Sequence, residues 1–443
     1  MKYKEFIFEN YEYDQPSSTL SLRYRFREGP QFREDLVFEF PHRSLSPAAA
    51  EVLGRIFRLI FLMAGVSYYK AFIPEQLICE AFPLDRAAAE FLESFYEKGL
   101  AEFAFTNQVS LRGHFEVSSS AIPPAAAPAL ELPRRTCVPV GGGKDSIVSL
   151  ECLKRADEPL ILFALGDAEP ISACMATAKL PFIRVHRRLD RRLLELNQSG
   201  ALNGHVPITG ILSAIALAAA VMSGFDVIAM SNEHSASAPN LRIGDIPINH
   251  QYSKSVEFEK TFSDFVQTYI SPSIAYFSLL RPLSEIEIAR RFSGYPEYFE
   301  VFRSCNTAFR QTPAARGSKW CGNCPKCRFV FLALAPFLRK AELIGIFGRN
   351  LLDDETQQEG FAALCGLRAH KPFECVGEIG ESAAVLSHLA TQSMWRNDAV
   401  VRQLHRDFVS LRRRDPGEYS SLFDIKQPHR VPDRYMAMLD AGR

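Results

Sequence analysis

Net charge is the first thing this chain lacks: its 51 lysines and arginines are matched by 51 aspartates and glutamates over 443 residues. Without a positive balance nothing drives indiscriminate association with nucleic acid, and no such partner is expected. Long apolar runs are also missing. The longest, residues 206–222, is rich in alanine and broken by Thr209, Gly210 and Ser213, with Ser223, Gly224 and Asp226 close behind. It reads as a buried helix rather than a membrane span. The opening Met1-Lys2-Tyr3-Lys4-Glu5-Phe6 alternates charge with aromatics and has no apolar core of the kind a signal peptide needs. A cytoplasmic protein without membrane attachment is the expectation. In that compartment the ten cysteines read as thiols or metal ligands rather than disulfides. Neither Gly-x-Ser-x-Gly nor His-Glu-x-x-His occurs, so a hydrolase triad and a zinc protease have no support.

What is present has a clear order, and the length suits two or three domains. Apolar residues alternate with polar ones through Phe6 and Phe8, then Leu20, Leu22, Tyr24 and Phe26, then Leu36, Phe38 and Phe40. That period of two predicts a small antiparallel sheet, followed by helices over 46–63 and 84–100. Residues 118–133 read as a linker stiffened by proline. Beyond it, short apolar runs at 136–140, 160–165, 182–185, 227–230 and 274–279 alternate with helical patterns at 146–154, 171–177, 189–196 and 208–222. Such alternation predicts an α/β fold, a parallel sheet with helices on both faces. The expected organisation is an N-terminal α+β domain (1–117), the linker (118–133), the parallel α/β domain (134–328) and a mostly helical C-terminal region (329–443).

The most informative segment is Val138-Pro139-Val140-Gly141-Gly142-Gly143-Lys144-Asp145-Ser146, an apolar strand entering a glycine turn and then a helix. Consecutive glycines let a ligand approach the backbone closely. The helix start presents unpaired N–H groups and a positive dipole end, which together bind phosphate. The spacing is neither that of Walker A nor the dinucleotide fingerprint. A tight turn capped by Asp145 is the plainer alternative.

A second motif, Cys321-Gly322-Asn323-Cys324-Pro325-Lys326-Cys327, spaces three thiols by two residues, with Cys305 upstream. Four thiolates suit tetrahedral zinc in a structural site, and an iron–sulfur cluster uses the same ligands. The other six cysteines, Cys375 among them, read as packed or incidental. Two polar runs complete the candidates. Ser231 to Ser237 offers Glu233 for magnesium and Asn232 and His234 for a substrate, unless it is simply a hydrogen-bonded loop. Asn249 to Ser255 carries His250 and Lys254, which share a helix face if the helix starts early enough and then serve as acid, base or anion ligand; an exposed helix start is the equal alternative. Arg184, Arg187, Arg188, Arg191 and Arg192 could reach a diphosphate or a carboxylate but read more plainly as a solvated helix face, and Arg412 to Arg414 carries less weight still. The polar turn from His370 to Gly377 could cap the cleft from the C-terminal region, though the sequence gives it no geometry.

The glycine turn resembles the PP-loop of ATP pyrophosphatases, usually Ser-Gly-Gly-x-Asp-Ser, with Gly141 replacing the first serine and one hydroxyl donor lost. The cysteine run is similar to that of 7-cyano-7-deazaguanine synthases within the same superfamily. The ordered set 141–146, Gly-His-Val-Pro-Ile-Thr (204–209), 231–236, 249–255 and the cysteine run resembles the UDP-N-acetylmuramoyl-L-alanyl-L-glutamate epimerase family. That resemblance implies a PP-loop domain using ATP and magnesium to invert the terminal L-glutamate of a peptidoglycan precursor, with release of AMP and pyrophosphate. It further implies a ligase that adds L-glutamate as functional partner. Gly141, Gly142, Gly143, Lys144, Asp145 and Ser146 would hold the nucleotide phosphates, and Asp145 or Glu233 the magnesium. His234 and His250 are the acid/base candidates, with Lys254 or a cysteine pair as substitutes, and Cys305, Cys321, Cys324 and Cys327 would hold structural zinc. The rival readings are a nucleobase- or tRNA-modifying enzyme and a non-catalytic nucleotide-binding regulator. Retention of Lys144, Asp145 and Ser146 speaks against the latter.

Overall fold

The structure, a computed structural model, describes residues 2–41, 43–117, 119–120, 125–244, 246–309, 320–368, 371–410 and 419–441. Strands β1 (Glu5–Asp14), β2 (Thr19–Phe26) and β3 (Gln31–Glu39) form an antiparallel meander. Phe6, Phe8, Leu20, Leu22, Tyr24 and Leu36 point to one buried face, as the period of two requires. Helix α1 (Pro47–Ala64) begins where the Ser46 hydroxyl accepts the Ala49 N–H and proline takes the first turn. It lays Val52, Ile56 and Ile60 into the same core. Strand β4 (Gln76–Cys79), helices α2 (Arg86–Gly99) and α3 (Ala101–Asn107), and the short β5 (Glu116–Val117) follow.

The expected alternation then forms: β6 (Thr136–Pro139), α4 (Lys144–Arg155), β7 (Leu160–Leu165), α5 (Glu169–Ala178), β8 (Phe182–Arg188), α6 (Arg191–Gln198), α7 (Ile208–Ser223), β9 (Val227–Met230), α8 (Val256–Phe265) and β10 (Ala275–Ser278). These five strands are parallel, in the order β10-β9-β6-β7-β8. Both faces are covered, which is why the strands read as continuous apolar runs. In β7, Ile161 and Phe163 enter the core shared with α1 and α7, while Leu162 and Ala164 enter the opposite one. Helix α7 is buried almost all round, as its alanine-rich sequence implied.

Strand β8 also pairs antiparallel with β3, so the meander and the parallel strands, with β4 and β5 beyond β1, make one ten-stranded sheet. The junction corrects the reading of the arginine segment. Arg184 and Arg187 lie on a strand, and Arg187 is buried with Glu34, 2.7 Å away, donating also to Ser67. A guanidinium enters a sheet junction only with its charge matched and its donors filled. The second core is covered by α9 (Glu285–Phe292), α10 (Pro325–Leu334), α11 (Lys340–Phe347), α12 (Gln358–Leu364), α13 (Ile379–Thr391), α14 (Ala399–Ser410) and α15 (Asp433–Ala441), so the described chain after α10 is helical. Among the described residues no helix is long and apolar enough to cross a membrane. His370, Arg412 to Arg414 and linker positions 118 and 121–124 lie outside the described residues.

Candidate active site

Strands β7 and β8 lie on one side of β6, and β9 and β10 on the other, so the winding direction reverses between β6 and β9. A crevice opens beyond the carboxyl ends of the strands at such a switch point. Here it is a cleft of about 630 Å³, lined by the glycine turn after β6, the polar run after β9 and the start of α9.

Gly142 holds a φ of +79°, and a side-chain carbon there would stand 2.9 Å from the Pro170 backbone, so the position demands glycine. Gly141 has open space where its side chain would be. Gly143 precedes α4 without a capping side chain, leaving the first amides of the helix unpaired at the cleft. These features make a cradle for an anion. The turn is braced from behind by the Arg303 N–H, which donates to the Gly142 carbonyl at 2.7 Å. The Ser146 hydroxyl donates to the Gly143 carbonyl at 3.2 Å.

Lys144 is buried, its ammonium bonded to Asp145 at 2.5 Å and to Glu285. Burial works against its charge, but the two carboxylates together hold its pKa above the ordinary lysine value. Burial pushes Glu285 well up, with Lys144 pulling the other way. Two carboxylates around one ammonium keep that ammonium charged. Glu285 escapes sequence reading; its one signal is its place just beyond the end of β10.

Glu233 is buried in the cleft wall. Its carbonyl and that of Lys254 each accept from Arg281 at 2.5 Å, and Arg281 is itself buried against Glu259 at 2.9 Å. One guanidinium therefore ties together the loops bearing Glu233 and Lys254, a role no sequence signal marks. His234 is not among the residues lining the cleft; its backbone N–H donates to the Leu283 carbonyl at 3.1 Å. Burial pulls its imidazole pKa down, with Glu378 in partial opposition.

His250 and Lys254 do not share a helix face, because α8 starts only at Val256 with Ser255 as its cap. They meet instead on Cys375. The Lys254 ammonium is 3.4 Å from its sulfur. The His250 ring hydrogen-bonds the same thiol and, through Nδ1, accepts or donates a proton with Glu102 at 2.5 Å. Burial pushes the Cys375 thiol up, but Lys254 and His250 outweigh it and bring it down to about 6. Burial pulls His250 down, and its bonds to Cys375 and Glu102 raise it to about 9. His205, with its ring centre 4.3 Å from that of His250, is lowered to about 3 by burial and by that neighbour. Cys375 lines the cleft, so it is not packed away in a core. The turn carrying it crosses from the C-terminal region, and its thiol finds partners only there. Glu102, His205 and His250 bring ligand atoms within 4.8 Å of one another. The bond between Glu102 and His250 closes that set, and the nearby charges of Lys254 and Lys326 disfavour a dication.

The four cysteines of the second motif converge, with sulfur separations of 3.9 Å (Cys305–Cys324), 3.6 Å (Cys321–Cys327) and 3.5 Å (Cys324–Cys327). A tetrahedral ion with bonds of about 2.3 Å spaces its sulfurs by about 3.8 Å, so the donor set fits zinc in size and chemistry. The cluster borders the cleft. Asn306, next to Cys305, and Lys326, between Cys324 and Cys327, both line it, and both contact Glu374.

Fold and site define an α/β protein with a polar cleft at the switch point of its parallel strands, edged by an uncapped helix start. Comparison with known families is more particular. Residues 1–279 match the MurL N-terminal domain and residues 301–418 the MurL C-terminal domain; the chain belongs to the MurL family. A relative from Xanthomonas oryzae pv. oryzae (strain MAFF 311018) is 40% identical over 427 residues, 96% of this chain and 95% of its own. Another, from Micromonospora sp. (strain ATCC 39149 / NRRL 15099 / SCC 1413), is 42% identical over 98% of this chain and 97% of its own. A third, from Salinispora tropica, is 41% identical over 97% of this chain and 94% of its own. Each of the three is named UDP-N-acetyl-alpha-D-muramoyl-L-alanyl-L-glutamate epimerase.

Proposed function

We propose that this chain inverts the terminal L-glutamyl residue of UDP-N-acetyl-α-D-muramoyl-L-alanyl-L-glutamate, using ATP to adenylate its carboxylate and releasing AMP and pyrophosphate. The α-proton beside a carboxylate is hard to remove because the charge left behind adds to an existing anion. Joining the carboxylate to AMP removes that charge and lets the carbonyl accept the electron pair, so a modest base suffices. Inversion follows when a proton returns to the opposite face, and water then frees the AMP.

The observation that carries this reading is the uncapped, glycine-cradled start of α4, sharing its cleft with Asp145, Glu233 and Glu285 in a chain of this family. The amides of the cradle and Ser146 would receive the pyrophosphate, with Lys144 moving part of its charge from Asp145 to the phosphates. Asp145 and Glu233 would hold magnesium, which offsets phosphate charge when bound. Cys305, Cys321, Cys324 and Cys327 would hold a structural zinc that fixes the wall bearing Asn306 and Lys326. The substrate requires a ligase that adds L-glutamate upstream.

The test is incubation of the protein with that muramoyl dipeptide, ATP and magnesium, followed by acid hydrolysis, resolution of the glutamate enantiomers and a parallel pyrophosphate assay. D-glutamate and pyrophosphate, each dependent on both substrates, are expected. D-glutamate formed without ATP, or neither product, refutes the reading.

A further inference from the structure

The group that takes the α-proton must reach the cleft, stand deprotonated near neutral pH and keep an electron pair free. His250 sits behind Cys375, outside the cleft lining, with its ring engaged by Glu102 and Cys375. Lys254 lines the cleft as an ammonium, its charge supported by Cys375, Glu233 and Asp145. Asp145 and Glu285 share the ammonium of Lys144. Cys375 meets all three conditions: it lines the cleft, and the Lys254 cation 3.4 Å away favours its thiolate. Being ionised at rest, it is ready to take a proton rather than to give one.

We propose that the Cys375 thiolate is the base that removes the α-proton of the L-glutamyl residue, with Lys254 and His250 as the residues that position it and hold it ionised. This rests on the adenylation reading above. The Cα–H bond breaks as the S–H bond forms, and the electron pair passes into the acyl-adenylate carbonyl as an enolate. A proton of solvent origin joins Cα from the opposite face as the pair returns. Water cleaves the mixed anhydride, and the thiol yields its proton to water in the open cleft that it lines, which restores the thiolate beside Lys254 and His250.

The test compares wild type with C375A and C375S in D₂O, following pyrophosphate release, wash-out of the substrate α-proton and D-glutamate, with circular dichroism and zinc content as checks of folding. Expected are substrate-dependent pyrophosphate release in both variants and a fall of about 10²–10⁴-fold in wash-out and inversion together. Inversion within about ten-fold of wild type in both variants overturns the proposal. So does loss of pyrophosphate release in both, which would put Cys375 in adenylation. Wash-out retained while inversion is lost overturns it too, since the thiol would then be the donor. A wild-type protein giving neither pyrophosphate nor D-glutamate refutes the functional reading itself, and this proposal with it. Positioning by Lys254 has its own readout, the pH dependence of Cys375 alkylation by iodoacetamide. The groups facing the thiol are Lys254, His250 and Lys326, with Glu102 and His205 behind His250, and Glu233 and Asp145 beyond Lys254. K254M should move the alkylation midpoint up by about one pH unit or more; an unmoved midpoint removes Lys254 from this role.

Discussion

Arg281 is the residue whose loss should be felt most widely. Its side chain is fully buried, as is that of its partner Glu259, and it also holds the carbonyls of Glu233 and Lys254. R281M removes the guanidinium while keeping an apolar stem of similar reach. Glu259 is then left as a buried charge without a counter-ion, which costs about 3–5 kcal/mol. Each carbonyl stripped of its donor adds about 1–3 kcal/mol. The contributions share one residue and do not simply add, so the expected loss is about 4–7 kcal/mol. Against a typical stability of about 5–15 kcal/mol, that brings the protein close to unfolding. Urea unfolding followed by far-ultraviolet circular dichroism measures the loss. The double variant R281M/E259M should regain at least about 2 kcal/mol, because a buried pair replaced by apolar groups of like volume is often neutral. It should nonetheless release pyrophosphate at least about ten-fold more slowly than wild type, since the guanidinium no longer ties the Glu233 and Lys254 carbonyls to one point. A loss below about 1 kcal/mol in R281M, or a double variant no more stable than the single one, would refute the reasoning.

The cradle is tested by G142A, where a left-handed φ costs about 1–2 kcal/mol and the new carbon presses on the Pro170 backbone. Pyrophosphate release should fall about 10²-fold or more, as when reacting groups shift by an ångström, and a wild-type rate would refute the cradle. D145N should abolish pyrophosphate release with the circular dichroism spectrum unchanged, and retained release would remove Asp145 from the nucleotide or metal role. Metal analysis should find one zinc per chain in wild type and none in C321S; iron with acid-labile sulfide would replace zinc by a cluster. Stability should report the contact between Cys375 and His250. The thiol is lowered to about 6, so its contribution is complete above the ordinary value of 9.0 and is lost as pH falls through about 6. His250 is raised to about 9, so its share is complete below 6.5 and is lost as pH rises through about 9. The difference in unfolding free energy between wild type and C375A should therefore be greatest between those limits, and a difference that is flat with pH would refute the pairing.

Local spacing was enough for much of this protein. The period of two in β1 to β3, the apolar runs of β6, β7 and β9, the buried length of α7 and the glycine turn all follow from geometry set within a few residues. The tetrad of cysteines was legible for the same reason, since three of its thiols lie within seven residues, Cys321 to Cys327. Other features had no such signature. Arg187 turns from a solvated charge into a buried one because β3, far earlier in the chain, brings Glu34 against it. Glu285 meets Lys144 across 141 residues, Lys254 meets Cys375 across 121, and Glu102 meets His250 across 148. A side chain's neighbours at such separations depend on strand order and on which face each element buries. Periodicity records the face but not the order. The sequence by itself therefore determined the elements, the glycine turn and the grouping of the cysteines. Only the tertiary structure decided which charges surround the cleft, because the field at a buried group is set by what lies within a few ångströms of it, however distant along the chain.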